Sequence, residues 1–181
     1  MELAKIGLIG PQVDVLGPDM GTNEQIMNLI KDSYMMMYGE ENINSSGVVT
    51  GKIVSQGGIS GHRESAGLGM TVVLKELLKD DAFCEQVDTS LGLKGKRVII
   101  QGYGNMGYHF AKFMKKEGAK IIGVVERDCS LFNPEGLDPD EIQMYKQREG
   151  SFKDYPHAEC ETVDPSFLLR KKCDILAPCA G

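Results

Sequence analysis

Tryptophan is absent from this 181-residue chain, and histidine is scarce. The three histidines, His62, His109 and His157, lie far apart with no H-E-x-x-H between them, so the sequence offers no metal site of the zinc-hydrolase kind. The five cysteines, Cys84, Cys129, Cys160, Cys173 and Cys179, are odd in number and never spaced C-x-x-C. They read as reduced thiols in a reducing compartment, not as a disulfide framework or a metal cluster. No apolar stretch approaches the roughly 20 residues of a membrane span. Met1-Glu2-Leu3-Ala4-Lys5 lacks the basic region followed by an apolar core that marks a secretory signal. No basic run is interleaved with aromatics, and 26 acidic residues against 20 basic ones leave a net charge of −6, which argues against a nucleic-acid partner. Internal repeats and low-complexity segments are missing too. What remains, 41% hydrophobic and 25% charged, is the composition of an ordinary globular protein of one domain or one and a half.

Against these absences stands one dense signal. The β-branched run Arg97-Val98-Ile99-Ile100-Gln101 meets Gly102-Tyr103-Gly104-Asn105-Met106-Gly107, a G-x-G-x-x-G turn that opens a helical pattern. A second apolar run, Ile121-Ile122-Gly123-Val124-Val125, ends at Glu126. Strand, glycine turn, helix, strand and terminal acid form the fingerprint of a dinucleotide-binding βαβ unit. Gly102 supplies the backbone freedom of the tight turn, Gly104 lets the main chain approach a diphosphate, and Gly107 lets helix pack on strand. The helix N-terminus then faces the phosphates, and Glu126 would accept from the ribose hydroxyls of the adenosine half.

The rest of the chain is read more coarsely. Residues 1–18 form a loop region punctuated by Gly10-Pro11 and Gly17-Pro18. Thr22 caps a helix with Gln25 in the capping-box position, and Ile26, Ile30, Tyr34 and Met37 form its apolar stripe, with Met35-Met36-Met37 as core filler. The glycine-dense Gln56-Gly57-Gly58-Ile59-Ser60-Gly61 marks a boundary near residue 58, followed by a long helix over about 62–79 whose apolar face is Val72, Val73, Leu77 and Leu78. Residues 80–96 are a polar connection. In the helix after Gly104, Met106, Phe110 and Met114 face the sheet and Gly118 ends it. Asn133-Pro134-Glu135-Gly136 is a turn, Asp138-Pro139 starts a polar helix closed by Gly150, and Cys173–Pro178 is a third parallel strand. The fold class is α/β: a doubly wound, Rossmann-type dinucleotide-binding domain, preceded by the end of another α/β domain. Such a domain needs about six strands and only three are convincing here, so the chain is expected to be an internal piece of a longer one.

With these residues in view, the chain resembles the glutamate dehydrogenases, specifically the hexameric type found in animal mitochondria. The likeness is carried in order along nearly the whole chain by Met1–Lys5, Ile9-Gly10-Pro11, Pro18-Asp19-Met20, Thr50-Gly51-Lys52, Ser55–Ile59, Gln101–Asn105, Asn133–Gly136 and Cys173–Leu176. It implies that residues 1–58 end a substrate domain and that residues 59–181 are an incomplete NAD(P)-binding domain. It further implies reversible oxidative deamination of L-glutamate to 2-oxoglutarate and ammonia, a homohexamer, and the mitochondrial matrix, with a cytoplasmic location as the alternative. The family's carboxylate that handles the proton at the amino nitrogen corresponds to Asp19, which otherwise reads as an acid placed for the dipole of the following helix. The family's catalytic lysine falls before Met1, so the chain by itself is expected to be inactive.

The chain departs from the family pattern at two positions implied to touch substrate or nicotinamide. His62 stands where the family has arginine, a bidentate anion clamp, and Ala66 where it has threonine. Arg63 points about a hundred degrees away from such a position on a helix. These departures keep two other functions open: a relative acting on leucine, phenylalanine or valine, and a non-catalytic subunit that only binds nucleotide. Glu126 favours the free 2′-hydroxyl of NAD, while Arg127 could pair with the 2′-phosphate of NADP or be a solvated charge. Cys179-Ala180 follows the third strand where the family's loop reaches the nicotinamide-side ribose, or is a plain βα loop.

Overall fold

Strand β1 (Arg97–Gln101) lies at the centre of the parallel part of the sheet, flanked by β2 (Lys120–Val125) and β5 (Ile175–Pro178), both parallel to it. Beyond β2 come β3 (Ser130–Phe132) and β4 (Glu159–Glu161), each antiparallel to its neighbour, so the five-stranded order is β4-β3-β2-β1-β5. The computed structural model describes residues 2–40 and 42–180. Before the sheet come α1 (Glu2–Lys5), α2 (Glu24–Tyr38), α3 (Ser65–Leu77) and α4 (Asp81–Gln86); α5 (Asn105–Lys116) joins β1 to β2, and α6 (Pro139–Glu149) joins β3 to β4. The chain forms two compact units, Met1–Arg63 and Glu64–Gly181.

In the second unit the three parallel strands expected from the sequence are present. The ribbon β3-β4 was not legible: each strand is three residues long, too short for a period of two to be told from chance. The faces of β2 break the period of two. The register runs Val98↔Ile121 and then Ile99↔Gly123, so one extra residue is inserted opposite β1. This bulge puts Ile121 and Val124 into the core shared with Phe110 and Met114, and Ile122 and Val125 into a second cluster with Ile99 and Leu168 on the other face. Gly123 makes room there, since a Cβ would stand 2.9 Å from Leu168 Cδ2. Leu168 belongs to a 3-10 segment, Pro165–Arg170, which is thereby held on that face of the sheet. At the sheet's edge, Asp174 receives the Arg97 amide (2.8 Å) and guanidinium (3.0 and 3.2 Å), which pins the start of β5 to the start of β1.

Helix α5 buries Phe110 and Met114 as expected, but Met106 is 40% exposed at the rim of the turn. Helix α6 is capped as read: the Asp138 carboxylate accepts from the amides of Asp140 and Glu141, and Gly150 closes it at φ 76°. Helix α3 runs Ser65–Leu77, shorter than expected, and turns a different face inward. Gly67, Met70, Thr71, Leu74 and Leu78 are packed or buried, while Val72, Val73 and Leu77 are exposed. The cause is Gly67: a Cβ there would stand 2.5 Å from the Phe110 amide nitrogen, so α3 lies with its backbone against α5. Close backbone approach, not the largest apolar side chains, chooses the face. The polar connection 80–96 contains α4, capped by the Asp80 carboxylate.

In the first unit, Asn23 rather than Thr22 caps α2, its side chain accepting from the Ile26 amide. Thr22 is engaged by Asp19 instead. The buried face is accordingly Met27, Lys31 and Tyr34, over Val48 and Val49. Met37 is exposed, as are Met35 and, at 89%, Met36, so the methionine cluster is not core filler. Lys31 is buried, and its Nζ donates to Gln56 Oε1 (2.7 Å) and pairs with Asp32 (3.1 Å).

Candidate cofactor site

The site begins where β1 ends. Gly102 sits at φ +85°, a conformation costly for any residue with a Cβ, and a Cβ there would stand 2.7 Å from the Ala180 nitrogen. The segments leaving β1 and β5 therefore touch, tied by the Cys179 amide donating to Gln101 O (2.7 Å). The Gly102 amide donates to Val125 O at the end of β2 (2.7 Å). This is the point where the strand order changes direction, the usual place for a ligand in an open α/β sheet. At Gly107 a Cβ would lie 2.0 Å from Gly102 O, so only glycine lets α5 fold back this tightly on the turn. Gly104 differs from both. It is the N-cap of α5, brings no side chain to the amides of the first turn, and would present a Cβ to a space in which no atom of the described residues comes within 4 Å. An uncapped helix start beneath open space fits a diphosphate. Asn105 and Met106 are exposed beside it.

Tyr103 enters this site through its backbone alone. Its ring is buried between Tyr108 and Phe152, and its hydroxyl donates to Pro139 O (3.0 Å). Burial holds that phenol's pKa far above its ordinary value. The Tyr103 amide donates to Glu126 Oε1 (2.7 Å), so the acid at the end of β2 is attached to the glycine turn. The same oxygen receives Lys146 Nζ from α6 (2.6 Å), which also donates to Tyr103 O (3.0 Å) and lies 5.2 Å over the Phe152 ring. No local signal in the sequence marks Lys146. It lies twenty residues beyond Glu126 on a polar helix, where it looks like any solvated charge.

A cavity of about 550 Å³ opens over this corner. Its wall comes from Gly102 and Ala180, from Val125, Glu126 and Arg127 at the end of β2, and from Asp164 together with Pro165, Ser166 and Leu169 of the 3-10 segment it precedes. The last group was also missed. Only the packing of Leu168 on the sheet brings it here. Arg127 is exposed, and Cys179 is half-buried, its thiol pushed up by desolvation. A second cavity, about 440 Å³ beside Asp81, Glu85 and Asp88, shares no residue with the turn.

The remaining candidates lie elsewhere. Asp19, in the first unit, is exposed; its carboxylate accepts from the Met20 amide (2.7 Å), and its amide and carbonyl close a turn with the Thr22 hydroxyl (2.6 Å each). His62, also in that unit, is exposed, with its ring near Gly51. Ala66 is exposed in the first turn of α3. Among the described residues no three His, Cys, Asp or Glu side chains group as metal ligands, and no helix is long and apolar enough to cross a membrane.

Residues 57–181 match the family model of glutamate/leucine/phenylalanine/valine dehydrogenase. The chain belongs to this family. Over 178 residues it is 42% identical to a mitochondrial glutamate dehydrogenase of Dictyostelium discoideum, a match covering 98% of the chain and 35% of that protein. It is 36% identical to a cryptic catabolic NAD-specific glutamate dehydrogenase of Bacillus subtilis, covering 96% of the chain and 37% of that relative. A crystal structure of the hetero-hexameric glutamate dehydrogenase of Thermus thermophilus, in its leucine-bound form, superposes with a TM-score of 0.78 at 32% identity over 99% of this chain and 38% of that one. The chain thus spans little more than a third of the length of these relatives. Its three parallel strands and glycine turn are part of a Rossmann-type domain.

Proposed function

We propose that this chain carries the dinucleotide-binding part of an NAD-linked glutamate dehydrogenase that interconverts L-glutamate with 2-oxoglutarate and ammonia. The observation that carries the reading is the joined turn: Gly102 closed against Ala180, Gly107 closed against Gly102, open space over Gly104, and Glu126 fastened to the Tyr103 amide. Bound there, the nicotinamide cofactor would supply the hydride acceptor. The chain's own part is to hold the diphosphate on the first turn of α5, with the amides of Gly104, Asn105, Met106 and Gly107, and the ribose on Glu126. Cys179 and Ala180 line the approach to the nicotinamide-side ribose.

On this reading residues 1–58 end the substrate domain and residues 59–181 belong to the nucleotide domain. Asp19 takes and returns the proton at the substrate nitrogen; its exposed carboxylate, fixed on one oxygen by Met20, suits that role. His62 and Ala66 adjoin substrate and nicotinamide. The Glu126 carboxylate repels a 2′-phosphate, which favours NAD; Lys146 and Arg127 supply cations beside it, which leaves NADP usable. The hetero-hexameric neighbour supports assembly as a hexamer, which we read as one of identical subunits; the mitochondrial relative supports the mitochondrial matrix, with a cytoplasmic protein as the alternative.

The test is amino-acid-dependent formation of NADH and NADPH by the chain in its native protein. Turnover of glutamate with NAD preferred is the expected result. Turnover of leucine, phenylalanine or valine in its place would move the protein within its family, and dinucleotide binding without turnover of any amino acid would make it a non-catalytic subunit.

A further inference from the structure

The cavity at the end of β2 has a wall that neither the glycine turn nor Glu126 accounts for. Asp164, Pro165, Ser166 and Leu169 line it from the 3-10 segment held down by Leu168. An aspartate just before a helical segment ordinarily caps it. Asp164 does not: no side-chain cap bond is made, and the Phe167 amide bonds to the backbone carbonyl of Asp164 instead (3.0 Å). The carboxylate is held by other side chains. The Ser166 hydroxyl donates to Oδ1 (2.5 Å) and the Arg170 guanidinium to Oδ2 (2.8 Å), while Arg170 itself rests on the Phe167 ring 5.2 Å away. These partners hold the acid well below the usual carboxylate range, so it is an acceptor throughout the physiological pH range. Each oxygen keeps a lone pair beyond the one used.

Resting on the dinucleotide reading above, we propose that Asp164 selects the purine of the cofactor, its fixed carboxylate accepting a hydrogen bond from the exocyclic amino group of adenine while Pro165 and Leu169 bear on the ring. With the diphosphate at Gly104 and the ribose at Glu126, the base has this wall left to meet. A 6-amino purine offers the donor that a fixed acceptor needs. A 6-oxo purine places a carbonyl oxygen against the carboxylate, an unpaired and repulsive contact.

The test compares binding of NAD and of nicotinamide hypoxanthine dinucleotide to the chain by isothermal titration, so that no turnover is needed. The wild-type chain should prefer NAD by about tenfold, the worth of one hydrogen bond to a charged acceptor at a partly solvated site. Asp164→Asn, whose amide can donate to a 6-oxo group, should bring the ratio close to one, with a gain for the hypoxanthine dinucleotide. A wild-type chain that binds both equally would overturn the assignment, and so would a variant that loses affinity for both by the same factor. A wild-type chain that binds neither would overturn the dinucleotide reading along with it.

Discussion

Gly102 and Gly104 stand two residues apart and carry different constraints. Gly102 combines a positive φ with a neighbour 2.7 Å from any added Cβ, so Gly102→Ala should cost stability, about 1–3 kcal/mol, read as a lower urea midpoint. Gly104 has neither constraint, so Gly104→Ala should fold as the wild type does. The new methyl would occupy the space the diphosphate needs, and NAD affinity should fall by about tenfold or more, the loss of a charge-assisted hydrogen bond or two. Isothermal titration beside a urea melt separates the two effects. At Glu126 the corresponding change is Glu126→Gln, which removes the repulsion toward a 2′-phosphate while leaving Lys146 in place; the ratio of NADP to NAD affinity should rise. The glycine turn and Glu126 were legible in the sequence because they lie in two short contiguous runs with a known spacing. Lys146 and Asp164 were not, because a distant helix and the packing of Leu168 on Gly123 bring them to the site.

At the scale of elements, backbone approach explains what hydrophobic periodicity missed. The large apolar residues of α3, Val72 and Val73, pointed to one face, and Gly67 dictates another. Gly67→Ala should force α3 off α5 at a cost of about 1–3 kcal/mol, as overpacking in a tight interface does. Gly69, two residues on and on the opposite side of the same helix, has no neighbour among the described residues within reach of an added Cβ, and Gly69→Ala should be neutral or stabilising by up to about 1 kcal/mol. Opposite signs from two glycines two residues apart, measured by urea unfolding, would establish which face of α3 is packed. The helices α5 and α6 were read well because their ends carry local chemistry, Gly118 for the one and Asp138 and Gly150 for the other. The bulge in β2 and the ribbon β3-β4 depend on pairing partners that no local window contains.

For the whole molecule, the charged groups set a pH range of stability. Asp138 beside Lys115, Asp140 beside Tyr108 and Lys112, and Asp174 beside Arg97 are all held below the usual carboxylate range. Their contribution is present above the unfolded value of about 3.9 and is lost as the pH falls through their folded values. Cys129 and Tyr155 are both pushed up to about 12 by burial. They contribute below the unfolded thiol value of about 8.5 and phenol value of about 10, and that contribution is lost as the pH rises toward 12. Urea midpoints should therefore be level between about pH 5 and 8 and fall on both sides. A midpoint still rising at about pH 10 would contradict this. The central claim, that the first turn of α5 holds the diphosphate of a nicotinamide dinucleotide, is tested most directly by recording backbone amide resonances of the chain as NAD is added. The amides of Gly104, Asn105, Met106 and Gly107 should shift saturably and more than any others, with Tyr103 following through Glu126. Resonances that stay in place at millimolar NAD, or that move only in a different part of the chain, would contradict the account.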